Sequence, residues 1–576
     1  MSRKTDFMKD LFRRSGMLIF AVTLALLFIV FSPLLDANKE AKGARVYGGV
    51  FSYSLPEAPT SLFPLETNIL SDLRIISQLF DPLVKQQGAK GTIRNYLAER
   101  IKVSNGGRRI QIQLKKGVLF NDDPCFSGKS RELTAEDVAF TLSFACSNNP
   151  LNQSASILKG KIVGSDRFYK DGINPKDNYL SGIRIINDHL IEINLTKPYN
   201  HFLPLLTHPS LGIMSKVSWA YYGKTLNMHP VGSGPFFIKS TSNSMLVLTK
   251  NKEYWQVDRF GNHLPYLDEV RIYKNTLFSN EYPLFSGEKI DLLFNIPVNE
   301  LGKAFGTLTD AKKGKNLLHK VHIQKASKMN YLAWNMNKPP FNHPLVRKAF
   351  SLALDKDFIC TETLKGDGQP IKKGFIPKTW YYSNEKLPVI EQDIAQAKRC
   401  FLEAGYSSQN PFPKLLLYIN AQKGSNADLW CTEVCRQLKN VLGVEVKVKY
   451  VSTSERDEKI KSGEALFWKA GWVGDYPDAE SYLRLFYAPS PENTFGIDFH
   501  NSEFDQLYLK SLLTTLSSEK RRFQEACETI VFNESAIVPV YTEDFFVMIN
   551  LRVRGFEMNP SGIIDFSNIY LKDVAR

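Results

Sequence analysis

Apolar positions recur along this chain with two different periods, and the alternation between them sets the fold class. Every-other-residue patterning marks short strands in pairs. Residues 101–104 and 109–114 (RIQIQL) flank Asn105-Gly106-Gly107, a hairpin signal because glycine supplies the backbone conformation that a tight reversal needs. A second pair, 182–186 and 190–195, surrounds Asn187-Asp188, and a third runs through Phe236-Phe237-Ile238-Lys239-Ser240 and then residues 245–251. Residues 71–80 instead carry Leu73, Ile76, Leu79 and Phe80 at helical spacing. Thr134 with Asp137 three residues on predicts a helix start of the capping-box kind. Pro344 predicts another, with Val346, Ala349, Phe350 and Ala353 as its buried stripe and Arg347 and Lys348 on the outer face. Residues 48–53 read as an opening strand, before a loop punctuated by Pro56, Pro59 and Pro64. Strands and helices alternate through the rest without repeats, which predicts α/β lobes with a meander-rich subdomain at about 81–198. At 576 residues the chain exceeds a single ordinary core, so two or three domains are expected.

The first segment is an address. Arg3, Lys4, Lys9, Arg13 and Arg14 precede an uncharged apolar run at 17–35, and positive charge ahead of such a run holds the N-terminus in the cytoplasm. The run is close to the ~20 residues that span a bilayer core. The small-residue pattern wanted for cleavage is poor here, and the first cysteine is Cys125, too distant for lipid attachment. The expectation is a basic cytoplasmic stretch at 1–16, an uncleaved anchor at 17–35, a tether at 36–45 and a body outside the cytoplasmic membrane.

Composition narrows the function. A net charge of +14 raises nucleic acid as a partner. However, Lys and Arg are mixed with acids along most of the chain, and no arginine-rich arm, zinc-finger spacing or RNA-binding aromatic signature is present, so none is expected. Seven cysteines are too few for a disulfide scaffold, although up to three pairs could form. Cys431 and Cys435 share a helical-looking stretch with no histidine to complete a metal site. His319 and His322 are the one close pair among nine dispersed histidines, and no HExxH accompanies them. No metal, cofactor or catalytic set is expected, and an exported hydrolase is disfavoured.

Two loops stand out. Pro230-Val231-Gly232-Ser233-Gly234-Pro235 cannot be regular helix, and it lacks the spacing of a phosphate loop or a nucleophile elbow. It reads either as a strained start to a core hairpin or as a cleft lining in which Gly232, Ser233 and Gly234 meet ligand. Residues 467–472 (FWKAGW) read as a strand ending at Val473-Gly474, after which Asp475-Tyr476-Pro477-Asp478 turns into a helix at 479–487. A carboxylate at a strand end, in a glycine-containing turn beside aromatics, sits where α/β proteins place ligands. Asp478 is positioned to cap the helix, whereas Asp475 has no such duty and is the better ligand candidate.

Three stretches, 229–255 (HPVGSGPFFIKS…LTKNKEYW), 334–359 (WNMNKPPFNHPLVRKAFSLALDKDFI) and 470–487 (AGWVGDYPDAESYLRLFY), occur in the order seen in one receptor family. From about Gly48 onward the chain resembles the family 5 extracellular solute-binding proteins of bacteria, the oligopeptide-, dipeptide- and nickel-binding receptors of ABC importers. The resemblance implies a two-lobed periplasmic-binding-protein fold hinged on two crossing strands, with lobe I at 46–320, lobe II at 321–536 and a return to lobe I at 537–576. It implies a non-enzymatic monomer that captures short peptides and delivers them to a membrane permease. In peptide-binding members the aspartate matching Asp475 pairs with the ligand's α-amino group, and Trp472, Gly474 and Tyr476 fall around it. The family's lipid-attachment cysteine is absent, and no position matches the basic residue that receives the ligand's C-terminus. A nickel chelate or other small solute as ligand, and an anchored peptide sensor without a transporter, are the alternatives.

Overall fold

The computed structural model describes residues 40–572 apart from 128–130, 176–177, 200, 295, 297–318, 378–381, 383–384, 475–477, 491–492, 494–496 and 515. Its backbone is one eleven-stranded sheet that passes through the whole body. At the centre, Lys320–Trp334 pairs antiparallel with Ile537–Ile549, from Lys320↔Ile549 to Ala333↔Ile537. Both run well past the usual strand length of about 5–6 residues. One half of the pair joins Leu292–Leu293 and, through it, Val50–Ser54. The other half joins Phe467–Trp472, then Leu415–Ile419 and Val446–Tyr450. Register shifts interrupt the pair at Gln324/Lys328, between the two halves, and at Asn330/Tyr331, within the second.

The cores divide along the same line. Phe51, Tyr53, Leu65, Ile75 and Ile76 share a core with Val547, Phe566 and Ile569 from the C-terminal stretch. Trp334, Phe350, Trp430 and Phe467 centre a second, and Tyr482, Phe486 and Phe504 a third. A separate four-stranded sheet, Ala98–Ser104, Arg109–Leu114, Leu190–Asn194 and Ile183–Asn187 in spatial order, lays Ile110, Ile112, Ile191 and Ile193 onto the first core.

Local expectations hold where local chemistry decides. The capping box closes reciprocally: the Asp137 carboxylate accepts from the Thr134 amide at 3.0 Å, and the helix runs Ala135–Ala145. Pro344 opens Pro344–Leu352, and the His343 ring accepts from the Leu345 amide. Two expectations are corrected. Arg347 is not on the outer face: it is 2% exposed and donates to the carbonyls of Phe341 at 2.8 Å and Glu534 at 3.0 Å. The helix expected at 479–487 is one α-turn, Glu480–Leu483, tightening into a 3₁₀ turn at Arg484–Phe486. All seven cysteines are free thiols, with Cys431 and Cys435 on Asn426–Leu442. The anchor at 17–35 lies outside the described residues, among which no helix is long and apolar enough to cross a membrane.

Candidate binding cleft

The strand Phe467–Trp472 positions the site. One edge pairs along its length with residues 329–334, while the other pairs among the described residues only at Tyr418↔Trp468. Beyond Trp468 this second edge opens into a cavity of about 940 Å³, and residues 468–474 line it. Its walls come from both sides of the long strand pair. Thr60, Glu66, Thr67 and Ile563 belong to the side of the first core; Tyr331, Arg456, Lys469 and Trp472 belong to the other. Direct bonds cross the gap at several points among the described residues. Thr453 Oγ1 donates to Glu57 Oε2 at 3.2 Å, Gln422 Nε2 to the Thr276 carbonyl at 3.2 Å, and Ser561 Oγ to the Gly474 carbonyl at 3.4 Å.

Lys469 carries the unusual electrostatics. Burial, then the nearby Lys328 and Arg456 charges, push its ammonium down to about 8. Its bonded neighbour is Asn420 Oδ1 at 3.5 Å, and no carboxylate among the described residues lies within ion-pair distance. Lys328 and Arg456 are instead neutralised locally, by Glu543 and Asp457. A cation held at a cleft wall without its own anion favours an anionic ligand group. Sequence reasoning found no such cation; its signal, a lysine alternating with aromatics on a strand, is common to many ordinary strands.

Trp472 and Gly474 lie on the cavity wall. Trp472 donates through Nε1 to the Ser481 carbonyl at 2.7 Å, with the Arg484 guanidinium 5.4 Å from its ring centre. The Gly474 amide donates to the Tyr482 hydroxyl at 3.2 Å, and a Cβ there would fall 2.8 Å from Ser481 Oγ. Asp475 and Tyr476 lie outside the described residues. Asp478 accepts from the Glu480 amide at 2.9 Å and from Gln524 at 2.7 Å, and pairs with Lys520. Burial opposes its charge, but Lys520 outweighs that and holds the carboxyl below its ordinary value.

Gly232, Ser233 and Gly234 sit elsewhere, packed beneath the end of the helix Leu70–Leu79 and away from the cavity wall. A Cβ on Gly232 would lie 1.9 Å from the Leu79 carbonyl oxygen, and one on Gly234 2.4 Å from that of Gln78. Ser233 is fully buried, 3.4 Å from Asp81, whose carboxylate also takes the Trp255 indole N–H at 2.7 Å. Burial raises Asp81 to about 7. Among the described residues no group of His, Cys, Asp and Glu is placed to hold a metal ion.

A cavity walled by two separately cored bodies, bridged by a continuous sheet, defines a two-lobed ligand-binding protein. The chain belongs to the bacterial extracellular solute-binding proteins, family 5, whose signature matches residues 92–494. It is 27% identical over 555 residues to heme-binding protein A of Haemophilus influenzae, covering 92% of this chain and 94% of that one. Its fold is similar to that of the murein tripeptide-binding protein MppA of Escherichia coli, with a TM-score of 0.81 at 22% identity over 92% of this chain and 99% of that one. Against the unliganded open form of MppA the TM-score is 0.62 at 23% identity, over 92% and 98%.

Proposed function

We propose that the protein is the substrate receptor of an ABC-type importer, capturing short peptides outside the cytoplasmic membrane and delivering them to a permease. The observation that carries this is the open edge of Phe467–Trp472 inside the cleft. An extended peptide can add to such an edge as a strand, gaining affinity from backbone groups irrespective of its side chains. Asp475, one residue past the cavity-lining Gly474, takes the ligand's α-ammonium, and Lys469 takes a carboxylate. Trp472 and Tyr476 pack beside the ligand. The lobe boundaries fall at about 320–321 and 536–537, the two ends of the long strand pair, which itself passes between the lobes. The protein works as a monomer without turnover, held by the apolar segment at 17–35. N-terminal sequencing that begins between Ala37 and Val46 would remove the anchor from this reading.

Asp475→Asn tests the ligand class. Losing one partner of a buried charge pair costs ~3–5 kcal/mol, or roughly two to four orders of magnitude in affinity. Calorimetry should show that loss for free-amine peptides, with N-acetylated peptides binding both proteins weakly. Equal affinity of variant and wild type for free-amine peptides would sink the assignment. The relative named for heme supports a second reading, an anionic macrocycle held by Lys469 and its neighbours. Saturable spectral titration by hemin at micromolar protein, with peptides failing to compete, would favour it.

A further inference from the structure

The chain's positive charge is not evenly spread. Between Lys85 and Lys116 lie nine Lys and Arg and one acid, Glu99, so this stretch carries +8 of the total +14. It supplies the hairpin Val84–Gln87/Thr92–Asn95 and half of the separate four-stranded sheet. Lys85 is absorbed in an ion pair with Asp565 at 2.9 Å. Most of the others are exposed.

The sheet register shows where they gather. Ile110, Ile112, Ile191 and Ile193 face the core, so their alternate neighbours form the outer face. One row across it reads Lys102, Gln111, Glu192 and Arg184; Arg100 and Arg109 fall in the adjacent rows. Four cations thus surround one carboxylate. Glu192 is 7% exposed and is already engaged by Gln111 and Asn194 side chains, with Arg109 at 3.7 Å. Arg109 and Arg184 help to hold that carboxyl below its ordinary value, against the opposing effect of burial. Arg100, Lys102 and Arg184 have no ion pair among the described residues.

We propose that this face docks on an anionic phospholipid surface, holding the body against the outer side of the cytoplasmic membrane. Two features select a bilayer over an acidic protein. The central row of the face, Lys102, Gln111, Glu192 and Arg184, is polar or charged, with Leu190 at the end of its strand beside it, so the face lacks the aromatic or aliphatic centre that protein interfaces concentrate their energy in. And the cations are long, three of the four have no ion pair among the described residues, and they are spread over three of the four strands, spaced about 4.8 Å apart, matching a diffuse layer of headgroups better than a pocketed anion. The proposal shares with the functional reading only the placement of the body outside the cytoplasmic membrane; it holds whatever the cleft binds.

The test is flotation of the full chain with vesicles of phosphatidylcholine alone or with about 30% phosphatidylglycerol. Each Lys or Arg near an anionic leaflet raises partitioning about fivefold, so four give a preference of several hundredfold at low salt. A variant carrying Arg100→Gln, Lys102→Gln, Arg109→Gln and Arg184→Gln should lose most of that preference. A control with the same net charge, Lys348→Gln, Lys398→Gln, Arg399→Gln and Lys439→Gln on the other lobe, should keep it. The apolar segment at 17–35 and the basic residues ahead of it act equally in all three proteins, so the contrast between variants isolates the face. Thermal unfolding of both variants at the wild-type midpoint confirms folding independently of the lipid result and of what the cleft binds. Equal losses in the two variants, or no preference for anionic vesicles in the wild type, would overturn the proposal.

Discussion

Gly232→Ala separates packing from ligand contact at the loop where the sequence left both open. The added methyl would lie 1.9 Å from the Leu79 carbonyl oxygen, 2.8 Å from its carbon and 3.0 Å from the Phe80 ring. Ordinary contact begins near 3.4 Å, so the two backbones must part by more than an ångström. Neither is free to move. The Gly232 amide donates to Asn121 Oδ1 at 3.0 Å, its carbonyl accepts from the Asn121 amide at 2.9 Å, and the Gly234 amide donates to the Leu79 carbonyl at 3.0 Å. Breaking those three bonds loses about 1 kcal/mol each, and overpacking adds ~1–3 kcal/mol. A destabilisation of about 4–6 kcal/mol is a large share of the ~5–15 kcal/mol that holds a domain folded. Thermal unfolding of ligand-free protein should fall by on the order of 10 °C, and protein that remains folded at low temperature should bind ligand with wild-type affinity. An unchanged melting temperature with weakened binding would show that the loop serves the ligand.

The remaining predictions concern buried charge. Glu281 is 4% exposed, its carboxyl bonds the Ser54 hydroxyl at 3.1 Å, and burial raises it to about 7 from 4.5. The folded state therefore binds this proton more tightly than the unfolded one, and its contribution is full below about pH 4.5 and lost as pH rises toward 7. Glu281→Gln should gain on the order of 3 kcal/mol over wild type at pH 8 and little at pH 4.5, by urea unfolding at the two pH values. Equal gains at both would refute the cause. Arg347→Met leaves the Phe341 and Glu534 carbonyls without their donor and should cost about 2–3 kcal/mol. Lys348→Met, on the exposed side of the same helix, should stay within about 0.5 kcal/mol; matched effects would place both on the surface.

Sequence disclosed what adjacent residues decide. The Thr134 capping box, the hairpin at Asn105-Gly106-Gly107 and the strand Phe467–Trp472 all follow from chemistry within a few positions. Lys320–Trp334 did not: the polar stretch Gln324-Lys325-Ala326-Ser327-Lys328 interrupts the alternation at the register shift. Its extension is imposed by Ile537–Ile549, a partner some two hundred residues away. Arg347 failed for the same reason, since the carbonyl that buries it comes from Glu534. The Gly232 loop stayed ambiguous because a glycine required for close packing and one required for ligand access look alike until the neighbour is known. One wall of the cleft, Thr60 to Thr67, carries no sequence signal; short polar residues in a proline-rich loop read as solvent-facing.

The same long strands explain why closure of such a body must be governed by its ligand. Their register shift at Gln324/Lys328 falls where the chain passes from the first core toward the others, and Lys328, paired with Glu543 across the strands, also lines the cavity. A bend at that irregularity would move one wall against the other and leave both cores packed. The three direct bonds named across the gap, Thr453 to Glu57, Gln422 to Thr276 and Ser561 to Gly474, are neutral or single-charged contacts worth about 1 kcal/mol each. Each such bond is small beside the ~1–2 kcal/mol that ordering a single residue costs, so contacts of this kind leave room for a ligand to decide closure. A ligand touching both walls adds contacts that exist only when the lobes meet, and it stabilises the closed form by that difference alone. A solute that fills one wall, however tightly, would leave the equilibrium where it was.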